Sequence, residues 1–222
     1  IEDYPTQNGM YAYGKATNEE DEDYSDLLNL IYTIDGVQYD SPDAFGLAVE
    51  EVLNVDTFLR YMAVVNLLSN WDSYPNTGNN YYLFNNSLSG RFEWIPWDLT
   101  WGGDPRHSLF GRGEPGLVDR APLYDKVFEV EGYKVQYMAY LDLLVRHWFN
   151  ENQAGNLIRT YHNRIAPYVT QSSGDKMFFG DTHGFPVQAF QESWMGLVDF
   201  VRERSQYVQE IIAVDTPLGG MP

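Results

Sequence analysis

The pattern of apolar and polar positions predicts a series of helices interrupted once by a pair of strands. Residues 26–31 read as a short helix, and Asp35-Gly36 forms a turn flanked by Ile34, Val37 and Tyr39. Ser41-Pro42-Asp43 supplies a capping hydroxyl, a proline for the first helical position and an acid in the first turn, so a helix starts there. Phe45, Ala48, Val49, Val52 and Leu53 then keep helical spacing. A further helix, capped by Asp56, carries Phe58, Leu59, Met62, Ala63, Val64, Val65, Leu67 and Leu68. It is apolar on nearly all sides, which predicts burial through the middle of a domain, with Asp72 delivered at its far end.

The period then changes. Residues 81–84 and 92–95 are short apolar runs joined by Asn85, Asn86, Ser87, Ser89 and Gly90, which predicts an antiparallel hairpin. A turn centred on residues 87–89 places position 80 opposite roughly 96–98. Asn80 and Asp98 therefore leave the same open end of the hairpin, with Asp72 one loop away. Residues 101–116 are rich in Gly, Pro and charge and predict a long irregular loop, of the kind that forms lids or binding segments. Helices are expected over 122–130, 133–150 and 153–168, with Leu141, Leu144, Val145, Trp148 and Phe149 on one apolar stripe. A second loop follows over 171–187. A last helix over about 186–214 carries Phe190, Trp194, Leu197, Val198, Val201, Val208 and Ile211. No internal repeat is visible. The fold class is α+β, mostly α, with one small inserted hairpin.

Composition narrows the function. The 222 residues are enough for one core or two closely packed lobes, and a hydrophobic fraction of 44% argues against wholesale disorder. Aromatics reach 16%, with 17 Tyr, which suggests a tyrosine-rich surface or cleft beside the core. The net charge of −18 argues against nucleic acid and against an anionic membrane surface, and favours cationic partners or plain solubility. With no cysteine there is neither a disulfide nor a thiolate zinc site. No run is long enough to span a bilayer and none reads as a signal peptide. A chain beginning at Ile1 is expected to be a processed product or a fragment. The acidic run Asn18-Glu19-Glu20-Asp21-Glu22-Asp23 lacks the alternating ligands and glycine of a calcium loop and reads as a solvated face. Asn85-Asn86-Ser87 fits the short N-glycosylation pattern.

Asp72, Asn80 and Asp98 form the strongest chemical set. Phosphoryl transfer needs a carboxylate to orient the attacking hydroxyl and oxygen ligands to hold magnesium on the phosphates. An Asp after a buried helix, an Asn a few residues on, and a short hairpin ending in a second Asp is the order found in protein kinases. The structural alternative is that Asp72 and Asp98 cap turns while Asn79 and Asn80 start a strand. Trp71, Trp94, Trp97 and Trp101, with Glu93 and Asp98, raise sugar stacking and a glycosidase carboxylate pair. Strand alternation, however, sends Glu93 and Trp94 to opposite faces, and core packing explains tryptophans of this kind. His107, His147, His162 and His183 show no zinc-binding spacing. Arg106 and His107 could reach a phosphate or an acidic substrate, although isolated loop residues are ordinarily solvated. There is no Ser-His-Asp arrangement, and GRGEPG at 111–116 lacks the lysine and hydroxyl of a phosphate loop.

The segments NLLSNWD, NNYYLF and FEWIPWDLTWGG resemble the core of the spore coat protein H (CotH) kinase family. APLYDKVFEVEGYKVQYMAYLDLLV is similar to the family's following helical segment. WMGLVDFVRERSQYVQEII, with Arg-x-Arg after Phe, is similar to its last helix. The resemblance covers about residues 10–214 and implies an atypical protein-kinase-like helical lobe that uses ATP and Mg2+. By residue, it implies Asp72 as catalytic base, Asn80 as a metal ligand with Asn79 and Asn76 as lesser claimants, and Asp98 as the magnesium-binding acid. Asn80 and Asp98 are thereby also the residues implied to hold the nucleotide. The family often has a second acid two positions after the Trp-Asp pair, where this chain has Thr100. Kinases also carry a lysine and its glutamate partner in a preceding strand-rich lobe. Tyr11-Ala12-Tyr13-Gly14-Lys15 resembles only the tail of that lobe, and Lys15 makes a poor phosphate contact. The domain reading is therefore 1–40 as remnant or linker of a preceding lobe, 41–214 as the helical lobe and 215–222 as a tail.

The implied function is Mg-dependent transfer of the ATP γ-phosphate to Ser or Thr of a protein partner, with this chain part of the catalytic unit. The resemblance implies a spore coat or extracellular bacterial location with a protein substrate or coat partner, while charge and hydropathy predict no nucleic acid and no membrane insertion. Two alternatives stand beside it: a non-catalytic scaffold of such a coat or complex, and a carbohydrate-binding module using exposed aromatics.

Overall fold

The computed structural model describes residues 6–7, 10–11, 13–21, 23–99, 102–110, 121–170, 176–177 and 185–215. Thr100, Trp101, the GRGEPG segment, Glu22 and most of the 171–187 loop lie outside the described residues. The chain divides into two compact units. The first comprises Ile1–Met62, Asp72–Leu99 and Arg112–Gln136, and the second Ala63–Trp71, Thr100–Gly111 and Tyr137–Pro222.

The first unit opens with two short antiparallel strands, β1 (Thr6–Gln7) and β2 (Met10–Tyr11). Helix α1 (Ser25–Ile31) then runs into a π-type turn at Tyr32–Gly36 and buries Leu27, Leu30 and Ile34. Helix α2 (Pro42–Glu50) starts as its sequence predicts, with Ser41 Oγ accepting from the Ala44 N–H at 3.2 Å. Helix α3 (Val55–Leu67) begins one residue before Asp56. Asp56 is therefore not its cap but a first-turn acid, paired with Arg60 at 2.9 Å and accepting from Gln136 at 2.9 Å. Helix α4 (Tyr74–Thr77) is a single turn. Strands β3 (Tyr81–Asn86) and β4 (Arg91–Pro96) form the predicted hairpin in the predicted register, Tyr81 opposite Pro96 and Asn86 opposite Arg91. Gly90 closes the turn at φ +70°, a conformation that glycine takes without steric cost.

The hairpin is tied to the connection before α3. Asn54 N–H donates to Phe92 O and Phe92 N–H to Val52 O, both at 2.8 Å. Its inner face carries Phe92 and Trp94, both buried, whereas Tyr82, Phe84 and Ile95 are exposed. Trp94 is the centre of an aromatic cluster. It stacks on Tyr81 at 4.2 Å between centroids and meets Phe58 and Tyr74 edge-on at 4.8 Å each. Helix α5 (Pro122–Glu129) adds Leu123, Tyr124 and Val127 to this core.

In the second unit, α3 ends at Leu67 rather than running on to Asp72. Ser69 takes φ +52°, its N–H bonds Asn66 O at 3.0 Å, and Asn70 N–H bonds Val65 O at 2.9 Å. This pair is a Schellman stop with serine where glycine is usual. Ser69 Oγ donates to Asp104 O at 2.7 Å. Helix α6 (Glu131–His147) contributes Tyr137, Leu141 and Val145 to burial. Trp148, expected on the same stripe, lies beyond the helix end and is 66% exposed, where its N–H and that of Phe149 share Leu144 O as acceptor. A π-type turn (Glu151–Gly155), capped by Asn150, leads into α7 (Asn156–Thr170). Strands β5 (Lys176–Met177) and β6 (Phe185–Pro186) pair before α8 (Val187–Asp215). Helix α8 buries Val198, Val201 and Val208, but Leu197 is exposed.

The described part of the predicted lid, residues 102–110, is held by buried groups of this unit. Tyr137 OH donates to Leu109 O at 2.7 Å, and Asn66 Nδ2 donates to the same carbonyl at 3.1 Å. Arg204 is fully buried. Its guanidinium donates to the carbonyls of Asn66, Leu67, Pro105 and His107 and lies over the Tyr207 ring. Burial lowers its pKa to about 10, which leaves it charged at neutral pH.

Candidate functional site

The site is built within the first unit by the eight residues, 73–80, that separate Asp72 from the hairpin. Ser73 is buried, and Pro75 sits in the first turn of α4 with φ already set for a helix. Gly78 ends that turn at φ +74°, its N–H returning to Tyr74 O at 3.1 Å. The reversal brings residues 77–80 back against Asp72. Thr77 Oγ1 donates to Asp72 Oδ1 at 2.8 Å, and Asn79 Nδ2 reaches the same oxygen at 3.4 Å. Asn80 Nδ2 donates both to Asp72 O at 2.7 Å and to Asp72 Oδ2 at 3.0 Å. Asp72 and Asn80, joined in the sequence reading only by order along the chain, are thus in direct contact. A charge-assisted bond to a carboxylate is among the stronger ones a side chain makes.

The backbone of Asn80 is held as firmly as its side chain. Its carbonyl accepts from Trp97 N–H at 3.3 Å and from Tyr61 OH at 3.4 Å. Tyr61 OH also accepts from Tyr74 N–H at 3.2 Å, so one hydroxyl from α3 ties both ends of the loop. Burial, with a smaller push from Asp72, raises the Tyr61 pKa to about 12, so it is a neutral donor at all ordinary pH. Tyr74 is buried and Tyr81 half-buried, and the pKa of each is raised, chiefly by burial.

Asp98 follows β4 by two residues, is exposed and takes φ +45°. Asn80 takes φ +63°. Left-handed backbone costs a non-glycine residue about 1–2 kcal/mol, and it occurs here at both residues leaving the hairpin's open end. Asn80 Nδ2 is committed to Asp72, which orients Oδ1 as the remaining ligand atom of that side chain.

The lesser candidates separate. Asn76 is 3% exposed inside α4 and Asn79 is exposed beside Asp72. Lys15 bonds the Asp21 carbonyl at 2.5 Å and lies over the Tyr24 ring, which holds it to the acidic loop. Trp94 is core, Trp71 and Trp97 are about half exposed, and Trp101 lies outside the described residues. Glu93 accepts from Asn54 at 2.7 Å and Asn86 at 3.3 Å. In the second unit, Arg106 approaches Glu210 at 3.9 Å, while burial and the neighbouring Arg204 lower the His107 pKa. The sequence reading missed Thr77 and Tyr61. Thr77 carries a faint signal, a hydroxyl between proline and glycine just before the asparagines, whereas Tyr61 looks like any aromatic of an apolar helix.

A family model described as CotH kinase protein matches residues 2–208. Inner spore coat protein H of Bacillus subtilis (strain 168) is 23% identical over 207 residues, covering 91% of this chain and 52% of that protein. The chain therefore spans about half the length of the curated relative it matches. With the matched region running from the first strands through most of the last helix, the chain belongs to the CotH kinase protein family.

Proposed function

We propose that this chain carries the base and the metal ligands of a phosphotransferase that moves the γ-phosphoryl group of ATP to a Ser or Thr hydroxyl of a protein partner. The observation that carries this reading is the bond from Asn80 Nδ2 to both the carbonyl and the carboxylate of Asp72. It makes one rigid unit of a carboxylate that can accept a proton and an amide oxygen that can ligate a cation. Asp98, at the same end of the hairpin, completes an all-oxygen donor set, which suits Mg2+. Among the described residues no group of three or more His, Asp or Glu converges on one point. Magnesium is commonly held by one or two carboxylates together with nucleotide phosphates. When bound, the ion would neutralise charge developing on the phosphates.

In this reading Asp72 accepts the hydroxyl proton of the substrate as the new O–P bond forms. The bond from the γ-phosphorus to the bridging oxygen breaks, and ADP leaves with that electron pair. Asn80 stays bonded to the Asp72 carboxylate while this happens. The relative's name, inner spore coat protein, suggests the spore coat as the place of action. The same name supports a second reading, a coat scaffold that keeps the site's geometry without its chemistry.

Calorimetric titration of the full-length protein with ATP, with and without Mg2+, separates the two. Magnesium-dependent binding is expected, with about 100-fold or greater loss in Asp98→Ala, on the scale of a lost charged ligand. Phosphoserine or phosphothreonine should appear on a co-purified coat partner. A folded protein that binds no nucleotide under either condition leaves the scaffold reading.

A further inference from the structure

Thr77 has no place in the Asp-Asn-Asp order, yet its hydroxyl lies within hydrogen-bond distance of the Asp72 carboxylate. Its Oγ1 is 2.8 Å from Asp72 Oδ1, compared with 3.0 Å from Asn80 Nδ2 to Asp72 Oδ2. The two donors grip opposite oxygens of one carboxylate, and both come from the same short stretch after Pro75. We propose that Thr77 is a positioning residue that fixes the rotamer of Asp72, so that the carboxylate meets the attacking hydroxyl already oriented.

This inference rests on the phosphotransfer reading of the site. The physical case is one of preorganisation. A carboxylate held at only one oxygen swings about its Cβ–Cγ bond, and misplacing a base by about 1 Å is the kind of error that costs roughly 100-fold in rate. A β-branched residue suits the task because its side-chain torsion is stiff. Thr77 is half-buried and sits at the last position of α4, immediately before the left-handed Gly78 that turns the chain back. Each carboxylate oxygen has room for more than one donor, so the grip leaves lone pairs for the substrate.

The competing role is a purely local one. Thr77 Oγ1 also lies 3.3 Å from Ser73 O, one turn back, and a hydroxyl has a single proton to give. If that proton goes to Ser73, Thr77 stabilises the turn and does nothing for Asp72.

The test compares Thr77→Val, which keeps the shape and removes the hydroxyl, with Thr77→Ser, which keeps the hydroxyl, both in the full-length protein. Expected is a fall of about 10- to 100-fold in kcat for Thr77→Val at unchanged KM for ATP, with Thr77→Ser restoring most of it. Affinity for Mg-ATP, measured by calorimetry, should be the same in all three proteins. Thr77→Val with undiminished kcat, or Thr77→Ser as impaired as Thr77→Val, overturns the positioning role and leaves the turn-stabilising one. Loss of Mg-ATP affinity in parallel with kcat overturns it too, because a positioned base acts on transfer and not on nucleotide binding. Should Thr77→Val fold poorly, Thr77→Ser against Thr77→Ala supplies the same contrast. Wild-type protein that binds no ATP fails the phosphotransfer reading itself, an outcome distinct from wild-type transfer that ignores the hydroxyl at position 77.

Discussion

Tyr61 illustrates how much one buried hydroxyl can organise. It accepts from the Tyr74 amide and donates to the Asn80 carbonyl, closing the loop that holds Asp72 without touching the Asp72 carboxylate in any bond described above. Tyr61→Phe leaves the buried Tyr74 N–H without its acceptor, a loss of about 1–3 kcal/mol, readable by denaturant unfolding. The pH dependence has a definite sign. The Tyr61 pKa is raised from 10.0 to about 12, so between those values the unfolded chain loses its proton first. That group's stabilisation is complete below pH 10 and is lost as pH rises towards 12. Alkaline melts of Tyr61→Phe should therefore fall less steeply than those of the wild type over this window. Equal slopes would show that Tyr61 is not the titrating group.

At the scale of elements, the hairpin is where local pattern and the proposed site meet. Its alternation sends Phe92 and Trp94 inward, and the register that follows puts Asn80 opposite Trp97. A slip of one residue would turn Trp94 to solvent and move Asp98 relative to Asn80, so the aromatic cluster enforces the site's spacing as well as the core. The turn supports that register. Gly90 sits at φ +70° with nothing within 4 Å of where a Cβ would lie, so the effect of a side chain there is purely conformational. Gly90→Ala should cost about 1–2 kcal/mol by thermal or chemical denaturation, with the fold retained. A neutral result would mean that the turn is free to relax. Helix α3 shows the opposite case: its stop at Ser69 depends on a Schellman pair in which the usual glycine is missing from the sequence.

At the scale of the molecule, an acidic chain with a net charge of −18 encloses a single fully buried arginine among its described residues. Arg204 joins the carbonyls at the end of α3 to those of Pro105 and His107, segments about a hundred residues or more away in sequence. Carbonyls in place of a carboxylate give it geometry rather than charge pairing, and the planar fork of five donors is what reaches four acceptors at once. Arg204→Met should destabilise the second unit by about 3 kcal/mol or more, since several buried acceptors lose their donor together. Arg204→Lys should recover little of it, because a point ammonium cannot span the same carbonyls. Unfolding monitored by circular dichroism tests both, and full rescue by lysine would argue for charge alone.

The sequence by itself determined the helix periods, the serine cap of α2, the hairpin and its register, and therefore that Asn80 and Asp98 share one end. These follow from patterns with periods of two and 3.6 residues and from turn chemistry, all of which act over a few neighbours. The motifs around Asp72 and Asp98 also carried the family. Only the tertiary structure decided that Asn80 bonds Asp72, that Thr77 grips the other carboxylate oxygen, and that Tyr61 closes the loop. It also decided that Asp56 is a first-turn acid rather than a cap, that Trp148 is exposed beyond the end of α6, and that Arg204 is interior. Each depends on where a chain reversal or a packed neighbour places a polar atom. A hydrogen bond selects partners by distance and angle in space, and residue order along the chain does not contain that information until the loop has closed.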